Sequence, residues 1–267
     1  MTEVLQSERY GGFDALVLAS DANRNALSLQ LLSQIAQSVE VSAAGDSRGI
    51  VLSHTGTTFC SGVDLRERRA LGPDDDSHSR LLGELFLALW NYPKPLVIAV
   101  DGAVRGGGMG MLACADVVIA SADSTFAYSE VRVGVAPALV MAVTLPVIAQ
   151  PGILPLLLSG DTFGTDVAHR LGLVTAIDDA PRSTGMREAV ARLTAAAPRA
   201  QARTKQLFRA AHEIDMAAAI RASTRESAAL FTSAEAVEGM ASFADRRPPS
   251  WSVTSRSSTG STATGND

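Results

Sequence analysis

The residues of this chain that are best suited to chemistry lie between Pro95 and Pro137, where bare backbone is followed by one glutamate. Three consecutive glycines, residues 106–108, separate an apolar β-branched segment from a segment of small residues with helical character. Glycines leave the backbone N–H groups at a helix N-terminus uncovered, and these groups attract a phosphate or a developing oxyanion. Glu130 is the lone glutamate in the stretch that follows. The pattern predicts an oxyanion-binding site with one proton-transfer group.

Each of these features also has an explanation without chemistry. Glycines permit tight turns and close packing, and Glu130 can be a surface acid that pairs with Arg132. Residues 108–113 (GMGMLA) fit a dinucleotide-binding fingerprint as well. However, a long connection separates the strand from the helix there, and no acid ends the next strand at the required place, which disfavours a nicotinamide site. Three glycines in a row after a strand favour a functional site.

A second backbone donor is predicted in residues 59–65 (FCSGVDL). Gly62 permits a sharp bend that turns the N–H group of Val63 into a cleft. Alone, this segment is a turn. Paired with the glycine tract, it supplies the second donor of a two-pronged oxyanion hole.

Composition narrows the class of protein. The chain has 267 residues, 46% hydrophobic and 19% charged, which is typical of a globular protein with a sizeable core. A net charge of −5 without a long basic run argues against nucleic acid as a partner. Cys60 and Cys114 form no CxxC pair, no secretory signal is visible, and prolines interrupt the apolar stretches. We therefore expect a cytoplasmic protein without membrane spans, and the scattered histidines predict no metal site.

Apolar β-rich segments alternate with helical patterns along the first half of the chain. Strands are predicted at residues 15–18, 50–53, 96–100 and 117–120. Helices are predicted at 28–42, 79–90, 108–115, 138–149, 153–159, 164–171, 186–196, 198–211 and 215–232. This alternation implies parallel strands joined by right-handed crossovers, hence an α/β fold. We divide the chain into an α/β core (1–195), a helical region (196–246) and a disordered tail rich in Ser, Thr and Gly (247–267).

Several segments, in register, resemble the crotonase (enoyl-CoA hydratase/isomerase) superfamily. Residues 23–27 (NRNAL) are similar to a shortened form of its Asn-Arg-Pro-x-x-Asn-Ala-Leu segment, and residues 59–65 to its Phe-x-x-Gly-x-Asp-Leu segment. The block 97–120 resembles its strand, triple-glycine helix and Cys-Asp strand. Residues 163–173 resemble a later segment that ends in Gly-Leu-Val. The resemblance covers about residues 10–245.

The resemblance implies a spiral of ββα units whose C-terminal helices assemble a homotrimer, or a hexamer built as a dimer of trimers. It implies an acyl-CoA thioester as substrate, with CoA only as part of that substrate and no separate cofactor. The backbone N–H groups of Val63 and Gly107 would hold the thioester oxygen, and Glu130 would move the proton. Contacts with substrate or CoA carry over to Arg24, Ala26, Ser61, Gly62, Asp64, Leu65 and Gly106.

The sequence departs from the family pattern at Gly110, where typical hydratases have a first glutamate; the second, Glu130, is retained. Hydration of a 2-enoyl thioester comfortably uses two carboxylates, whereas moving a double bond from C3 to C2 needs one base. Some bacterial relatives described as hydratases of branched enoyl-CoA look similar to this chain at both positions. The sequence therefore favours an enzyme of the hydratase/isomerase type. Alternatives are a Δ3,Δ2-enoyl-CoA isomerase and a non-catalytic acyl-CoA-binding paralogue.

Other charged residues have two interpretations each. Arg105 can contact a CoA phosphate or an acidic acyl group, or it can form a surface salt bridge. Arg24 and Lys205 can meet CoA phosphates, although cations of this kind are common on surfaces. Asp116 is expected to brace the strand that follows the glycine helix. The pocket walls are expected from residues 65–85 and 135–145.

Overall fold

A computed structural model describes residues 4–71, 77–133, 135–148 and 152–211, together with the single residues 234, 238, 245, 247, 248 and 250. The strands are β1 (Leu5–Tyr10), β2 (Phe13–Leu18), β3 (Ile50–His54), β4 (Thr58–Cys60), β5 (Leu96–Val100), β6 (Ala103–Arg105), β7 (Val117–Ala120), β8 (Thr125–Ala127), β9 (Phe163–Gly164) and β10 (Ala176–Ile177). The α-helices are α1 (Leu29–Ala44), α2 (Leu65–Leu71), α3 (Ser77–Asn91), α4 (Gly107–Cys114), α5 (Ala138–Thr144), α6 (Ile153–Ser159), α7 (Thr165–Arg170), α8 (Met186–Thr194) and α9 (Pro198–Ala210). Short 3-10 helices span Asp21–Asn23 and Ser129–Val133, and a π-helix spans Pro181–Gly185.

The strands form two sheets. The larger has the order β1-β2-β3-β5-β7-β10, and the smaller has the order β4-β6-β8-β9. Consecutive strands divide between them, because β3, β5 and β7 enter the larger sheet while β4, β6 and β8 enter the smaller one. Neighbours from β2 to β10 pair in parallel. The predicted α/β architecture with parallel pairing is therefore confirmed.

The larger sheet is covered on both faces. Every residue of β5 is buried, as expected for a parallel strand between two layers. Val97 packs in a cluster with Ala189 and Val190 of α8, whereas Ile98 belongs to the cluster that contains the buried faces of α1 and α3. Successive side chains of β5 therefore point to opposite faces of the sheet, and this one strand contributes to both hydrophobic clusters.

The boundaries of the helices follow local chemistry. The side chain of Ser28 accepts a hydrogen bond from the N–H of Leu31 (3.2 Å), which caps α1 at the predicted position. Helix α5 ends at Thr144 rather than at the predicted residue 149. Pro146 explains this earlier end, because proline disfavours helical backbone in the residue before it.

Helix α9 is fixed to the core through cations. The Lys205 ammonium lies 2.7 Å from the Asp116 carboxylate, which also accepts a hydrogen bond from the N–H of Leu96 (2.8 Å). Asp116 therefore braces the start of β5. The Arg209 guanidinium stacks 3.6 Å from the centre of the Trp90 ring. Both cations thus hold α9 against the α/β core.

Some predictions fall outside the described residues, namely the helix at 215–232, most of the tail at 247–267, and, beyond residue 211, nearly all of the helical region (196–246) that was expected to form a trimer. The division of the chain into core, helical region and tail stays a prediction. Among the helices described, none has the length and apolarity required to cross a bilayer.

His54 links the two sheets in a neutral state. It is buried at the end of β3, its Nε2 accepts a hydrogen bond from the N–H of Asp101 (3.0 Å), and its Nδ1 donates to the carbonyl of Thr55 (3.0 Å). Burial lowers the pKa of His54, although the bond to Thr55 opposes part of that change. The guanidinium of Arg182 donates to the His54 carbonyl (2.8 Å) and ties the π-helix to the same point.

We predict that His54 makes the free energy of unfolding fall as the pH decreases below 6.5, its value in the unfolded chain. The lowered pKa means that the unfolded state takes up the proton first, so stability is lost between 6.5 and the folded pKa. Urea titrations of the wild type and His54→Gln at about pH 8 and about pH 5 measure this. The stability advantage of the wild type should shrink at the lower pH. His169→Gln, at an exposed histidine, is the control, and a pH-independent advantage would contradict the role of His54.

Candidate active site

The first backbone donor is presented by the loop that follows β4. The N–H of Leu27 donates to the Gly62 carbonyl (2.8 Å), and the N–H of Asp64 donates to the Leu27 carbonyl (3.2 Å). In this parallel bridge the residue between the two partners, Val63, directs its own N–H away from Leu27. Gly62 makes the bend with φ +94°, a conformation that favours glycine. Among the described residues, the Val63 N–H meets no backbone acceptor.

The second donor lies at the start of α4. Gly106 caps this helix with φ 53°, and its own N–H donates to the carbonyl of Ala127 (3.2 Å). Gly107 is the first residue of the helix, so its N–H has no intrahelical acceptor, and no other backbone acceptor meets it in the described part of the chain. A Cβ atom at position 106 would lie 3.3 Å from the Cα of Gly62. The two loops therefore approach so closely that side chains are excluded between them.

The thiol of Cys60 interacts with two other amides of these loops, those of Gly62 and Gly108. Its Sγ accepts a hydrogen bond from the Gly62 N–H (3.3 Å) and lies 3.1 Å from the place where a Cβ on Gly108 would stand. Burial raises the pKa of the Cys60 thiol to about 12, despite opposing hydrogen bonds from the amides of Gly62 and Gly108. The thiol is neutral and buried, so Cys60 serves as a packing residue.

Glu130 faces the glycine tract. Strands β6 and β8 run in parallel, with Arg105 opposite Ala127, so the segment after β8 lies beside the start of α4. The Oε1 atom of Glu130 is 3.7 Å from the place where a Cβ on Gly106 would stand. Arg132 instead pairs with Asp161, and the interpretation of Glu130 as a surface acid bound to Arg132 is wrong.

The surroundings of Glu130 favour its neutral form. Burial raises the pKa of the carboxyl, and a hydrogen bond from the residue's own backbone opposes part of the rise. Its Oε2 atom is buried and has no hydrogen-bond partner within the described residues. A carboxyl whose pKa moves toward neutrality is suited both to accept and to deliver a proton.

Two buried hydroxyls lie near this carboxyl. Tyr128 and Thr144 are fully buried, and among the described residues neither hydroxyl has a hydrogen-bond partner. Burial raises the pKa of Tyr128; the adjacent Thr144 hydroxyl opposes part of the rise and the charge of Glu130 adds to it. Tyr128 therefore stays a neutral phenol.

The phenyl ring of Phe86 fills the space that a side chain at position 110 would occupy. A Cβ atom on Gly110 would lie 2.2 Å from the Cζ of Phe86, a distance that no real Cβ contact shows. One turn earlier on α3, Leu82 lies 3.3 Å from the corresponding point at Gly107. The α3–α4 interface is therefore closed against any side chain at Gly110.

Two of the predicted contact residues serve local structure. The Ser61 hydroxyl donates to the carbonyl of Asn23 (3.2 Å). The Asp64 carboxylate accepts hydrogen bonds from the N–H groups of Arg66 (3.0 Å) and Glu67 (3.2 Å) and so caps α2. Both residues flank the Val63 amide, and they hold the loop that presents it.

The remaining predicted contact residues lie close in sequence to the bridge between Leu27 and Val63. Ala26 is buried, and its carbonyl accepts from the N–H of Ser28 (2.9 Å). Arg24 is exposed with a left-handed φ of 57°, and Leu65 is 53% exposed at the start of α2. Their contacts with CoA stay predictions.

The structure gives Arg105 contacts within the fold, and its contact with a CoA phosphate or an acidic acyl group stays a prediction. Its guanidinium donates to the carbonyl of Thr125 (2.7 Å), the hydroxyl of Thr125 (3.0 Å) and the carbonyl of Val104 (2.9 Å). It pairs with no carboxylate of the described chain, so the surface salt bridge is wrong. Arg105 holds β6 to β8 directly before the glycine tract. Lys205, with its contact to Asp116, is likewise engaged within the fold.

Sequence reasoning missed Phe86, Tyr128 and Thr144. Phe86 lies within the helix predicted at 79–90, and no local pattern indicates which glycine its ring faces. The one available signal for Tyr128 is its spacing, two residues before Glu130. Within the described residues, no group of three or more His, Cys, Asp or Glu side chains is arranged to hold a metal ion.

The amino-acid sequence of this chain is similar to those of known proteins. Residues 12–254 match the family model described as enoyl-CoA hydratase/isomerase. The mitochondrial enoyl-CoA hydratase domain-containing protein 3 of Danio rerio is 30% identical over 258 residues, which cover 93% of this chain and 87% of that protein. Enoyl-CoA hydratase AFT3-1 of Alternaria alternata is 30% identical over 259 residues, covering 93% and 86%.

Solved structures have the same fold. AtuE of Pseudomonas aeruginosa superposes with a TM-score of 0.87 at 30% identity, covering 94% of this chain and 100% of that one. An enoyl-CoA hydratase of Mycobacterium smegmatis superposes with a TM-score of 0.87 at 26% identity, covering 94% and 99%.

We predict that Gly110→Ala destabilises the protein by about 1–3 kcal/mol, because its methyl group overpacks against Phe86. Gly83→Ala is the matched control on α3, where the nearest atom to a new Cβ lies 3.8 Å away. That variant should be neutral or stabilised by up to about 1 kcal/mol through helix propensity. Denaturant midpoints of Gly110→Ala, Phe86→Leu and the double variant measure the coupling. Strictly additive effects would show that the ring and the glycine do not exclude each other.

We further predict that Glu130→Gln is more stable than the wild type at neutral pH. The pKa of Glu130 is raised in the folded state, so wild-type stability decreases as the pH rises above 4.5, the value without that burial. The difference should vanish in acid, where both side chains are neutral. Thermal and urea unfolding across this range measure it, with Glu84→Gln as the control at an exposed acid. A Glu130→Gln variant less stable than the wild type at neutral pH is the opposite result.

Proposed function

Because the chain belongs to the enoyl-CoA hydratase/isomerase family, we propose that it acts on an acyl-CoA thioester through an enolate, as a hydratase does. One observation carries the proposal: the Glu130 carboxyl faces the glycine backbone from which the helix N-terminus begins, with Oε1 3.7 Å from the Cβ position of Gly106. A proton-transfer group thus lies beside the helix N-terminus whose first amide would be the oxyanion donor.

The amides of Val63 and Gly107 would bind the thioester oxygen. Neither has a backbone partner in the described chain, and the start of α4 adds the positive end of its helix dipole. Each preorganised donor of this kind is typically worth about 3 kcal/mol to the transition state. The proposed chemistry uses no metal or redox cofactor, and CoA enters as part of the substrate.

Glu130 would transfer the proton. In hydration, the water oxygen bonds to C3 while its proton passes to the carboxylate, and the C2=C3 electron pair moves onto the thioester oxygen. Collapse of this enolate takes the proton from Glu130 to C2. The sum is addition of water, and the carboxylate is restored.

A second candidate is Δ3,Δ2-enoyl-CoA isomerase. It is favoured by Phe86, which fills the space beside Gly110 and leaves Glu130 as the one carboxyl at the glycine tract among the described residues. In this reaction the carboxylate removes a proton from C2 and returns it to C4, so one base suffices. A non-catalytic acyl-CoA-binding paralogue, a homotrimeric or hexameric assembly and a cytoplasmic location stay predictions from the sequence.

We predict that Glu130→Gln lowers kcat/KM by about 10²–10⁴-fold, the usual contribution of a general acid–base group, while CoA-ester binding is kept. Absorbance assays follow loss of the conjugated thioester from 2-enoyl-CoA and its appearance from 3-enoyl-CoA. Calorimetry measures binding, and Glu84→Gln is the active control.

The outcomes separate the candidates. Water addition without double-bond migration removes the isomerase, and migration without water addition removes the hydratase. Tight binding of the ester with no turnover of either substrate leaves the paralogue. Full activity of Glu130→Gln would contradict the assignment of Glu130.

A further inference from the structure

A second titratable pair lies beside the candidate site, formed by His78 in the first turn of α3 and Glu67 on α2. The Nε2 atom of His78 is 3.1 Å from the Oε2 atom of Glu67, which also accepts from the N–H of Leu29 (2.9 Å). The His78 side chain is 3% exposed. Its Nδ1 atom is buried and has no hydrogen-bond partner within the described residues.

The carboxylate determines which nitrogen of His78 is free. An ionised carboxylate only accepts hydrogen bonds, so a neutral imidazole must place its hydrogen on Nε2 to donate to Glu67. Nδ1 then carries a lone pair that faces no donor of the described chain. A buried acceptor without a donor is destabilising. An imidazole nitrogen that is held in this way can also act as a general base toward an O–H group.

Helix packing indicates where His78 lies relative to α4. Leu82, one turn after His78, reaches Gly107, and Phe86, two turns after it, reaches Gly110. Helices α3 and α4 therefore run side by side in the same direction. One further turn back, about 6 Å along the axis, His78 stands beyond the N-terminus of α4. That is the side on which the helix amides point and the thioester would bind.

We propose that His78, oriented by Glu67, is the second proton-transfer group of the hydration reaction. It performs the proton transfer that the first glutamate performs in typical hydratases. A carboxylate at position 110 has no room in this chain. The inference rests on the proposed function, since it concerns the water that adds to the enoyl thioester. Glu67 is the positioning residue of the pair.

The step balances with two groups. The water oxygen bonds to C3 as its proton passes to Nδ1 of His78, and the C2=C3 electron pair moves to the thioester oxygen. In this step Glu130 enters in its protonated form and delivers that proton to C2. An imidazolium and a carboxylate remain, and one proton passes between them through solvent. The product has gained one water molecule.

Two reactions of the full-length protein separate this role from the rest of the site. Hydration of 2-enoyl-CoA needs both groups. Exchange of the C2 protons of a saturated acyl-CoA in D2O, followed by NMR, needs Glu130 and the amides alone. His78→Gln keeps an N–H donor for Glu67 and removes the base, and His169→Gln is the matched control at an exposed histidine.

We expect His78→Gln to lower the hydration kcat by about 10²-fold or more and to leave C2 exchange unchanged. Unchanged hydration, or an equal loss of both reactions, would overturn the inference. A wild type that shows neither reaction fails the proposed function instead. His78→Asn, which also lacks a base, gives the same comparison where the glutamine variant does not fold.

Variants of Glu67 test the positioning role. Glu67→Gln keeps an oxygen acceptor for both His78 and the N–H of Leu29, so we expect most of the hydration activity to remain. Glu67→Ala removes that acceptor, and hydration should fall toward the level of His78→Gln while C2 exchange persists. Equal hydration in the two Glu67 variants would overturn this role.

Discussion

The close approach of two backbones, at Gly62 and Gly106, is the constraint on which the rest of the site depends. A Cβ atom on Gly106 would stand 3.3 Å from the Cα of Gly62, so the loops after β4 and β6 meet without side chains between them. This contact directs the Val63 and Gly107 amides toward one region. Cys60 holds the two loops together by accepting from the neighbouring amide of Gly62. The proposed oxyanion site is thus formed by the main chain, and side chains act by holding that main chain in place.

The smaller sheet then brings the acid to the amides. Because β6 and β8 pair in parallel, the glycine tract after β6 and Glu130 after β8 lie at the same edge of the smaller sheet. Arg105 ties these strands together directly before the tract. The same packing removes water from the carboxyl and raises its pKa. Position and acidity therefore have one origin, since the strand pairing that delivers Glu130 also buries it.

The sequence predicted those features that depend on neighbours along the chain. The apolar strands, the Ser28 cap, the glycine helix and the family resemblance, which the match over residues 12–254 confirms, are all local patterns. The contacts that escaped prediction join distant segments. Arg105 binds Thr125, 20 residues away, and Lys205 binds Asp116, 89 residues away. Local spacing carries no information on which of many possible partners a long cation meets after folding.

The packing of Phe86 against Gly110 has a consequence for the history of the molecule. An acid at position 110 requires a smaller residue at 86, and a smaller residue at 86 alone leaves a hole in the α3–α4 interface. Either substitution made alone therefore leaves the interface overpacked or with a cavity. A lineage that has adopted the pair is therefore held there by packing, whatever reaction selection favours. A two-acid arrangement therefore requires coordinated changes at positions 86 and 110 rather than one substitution.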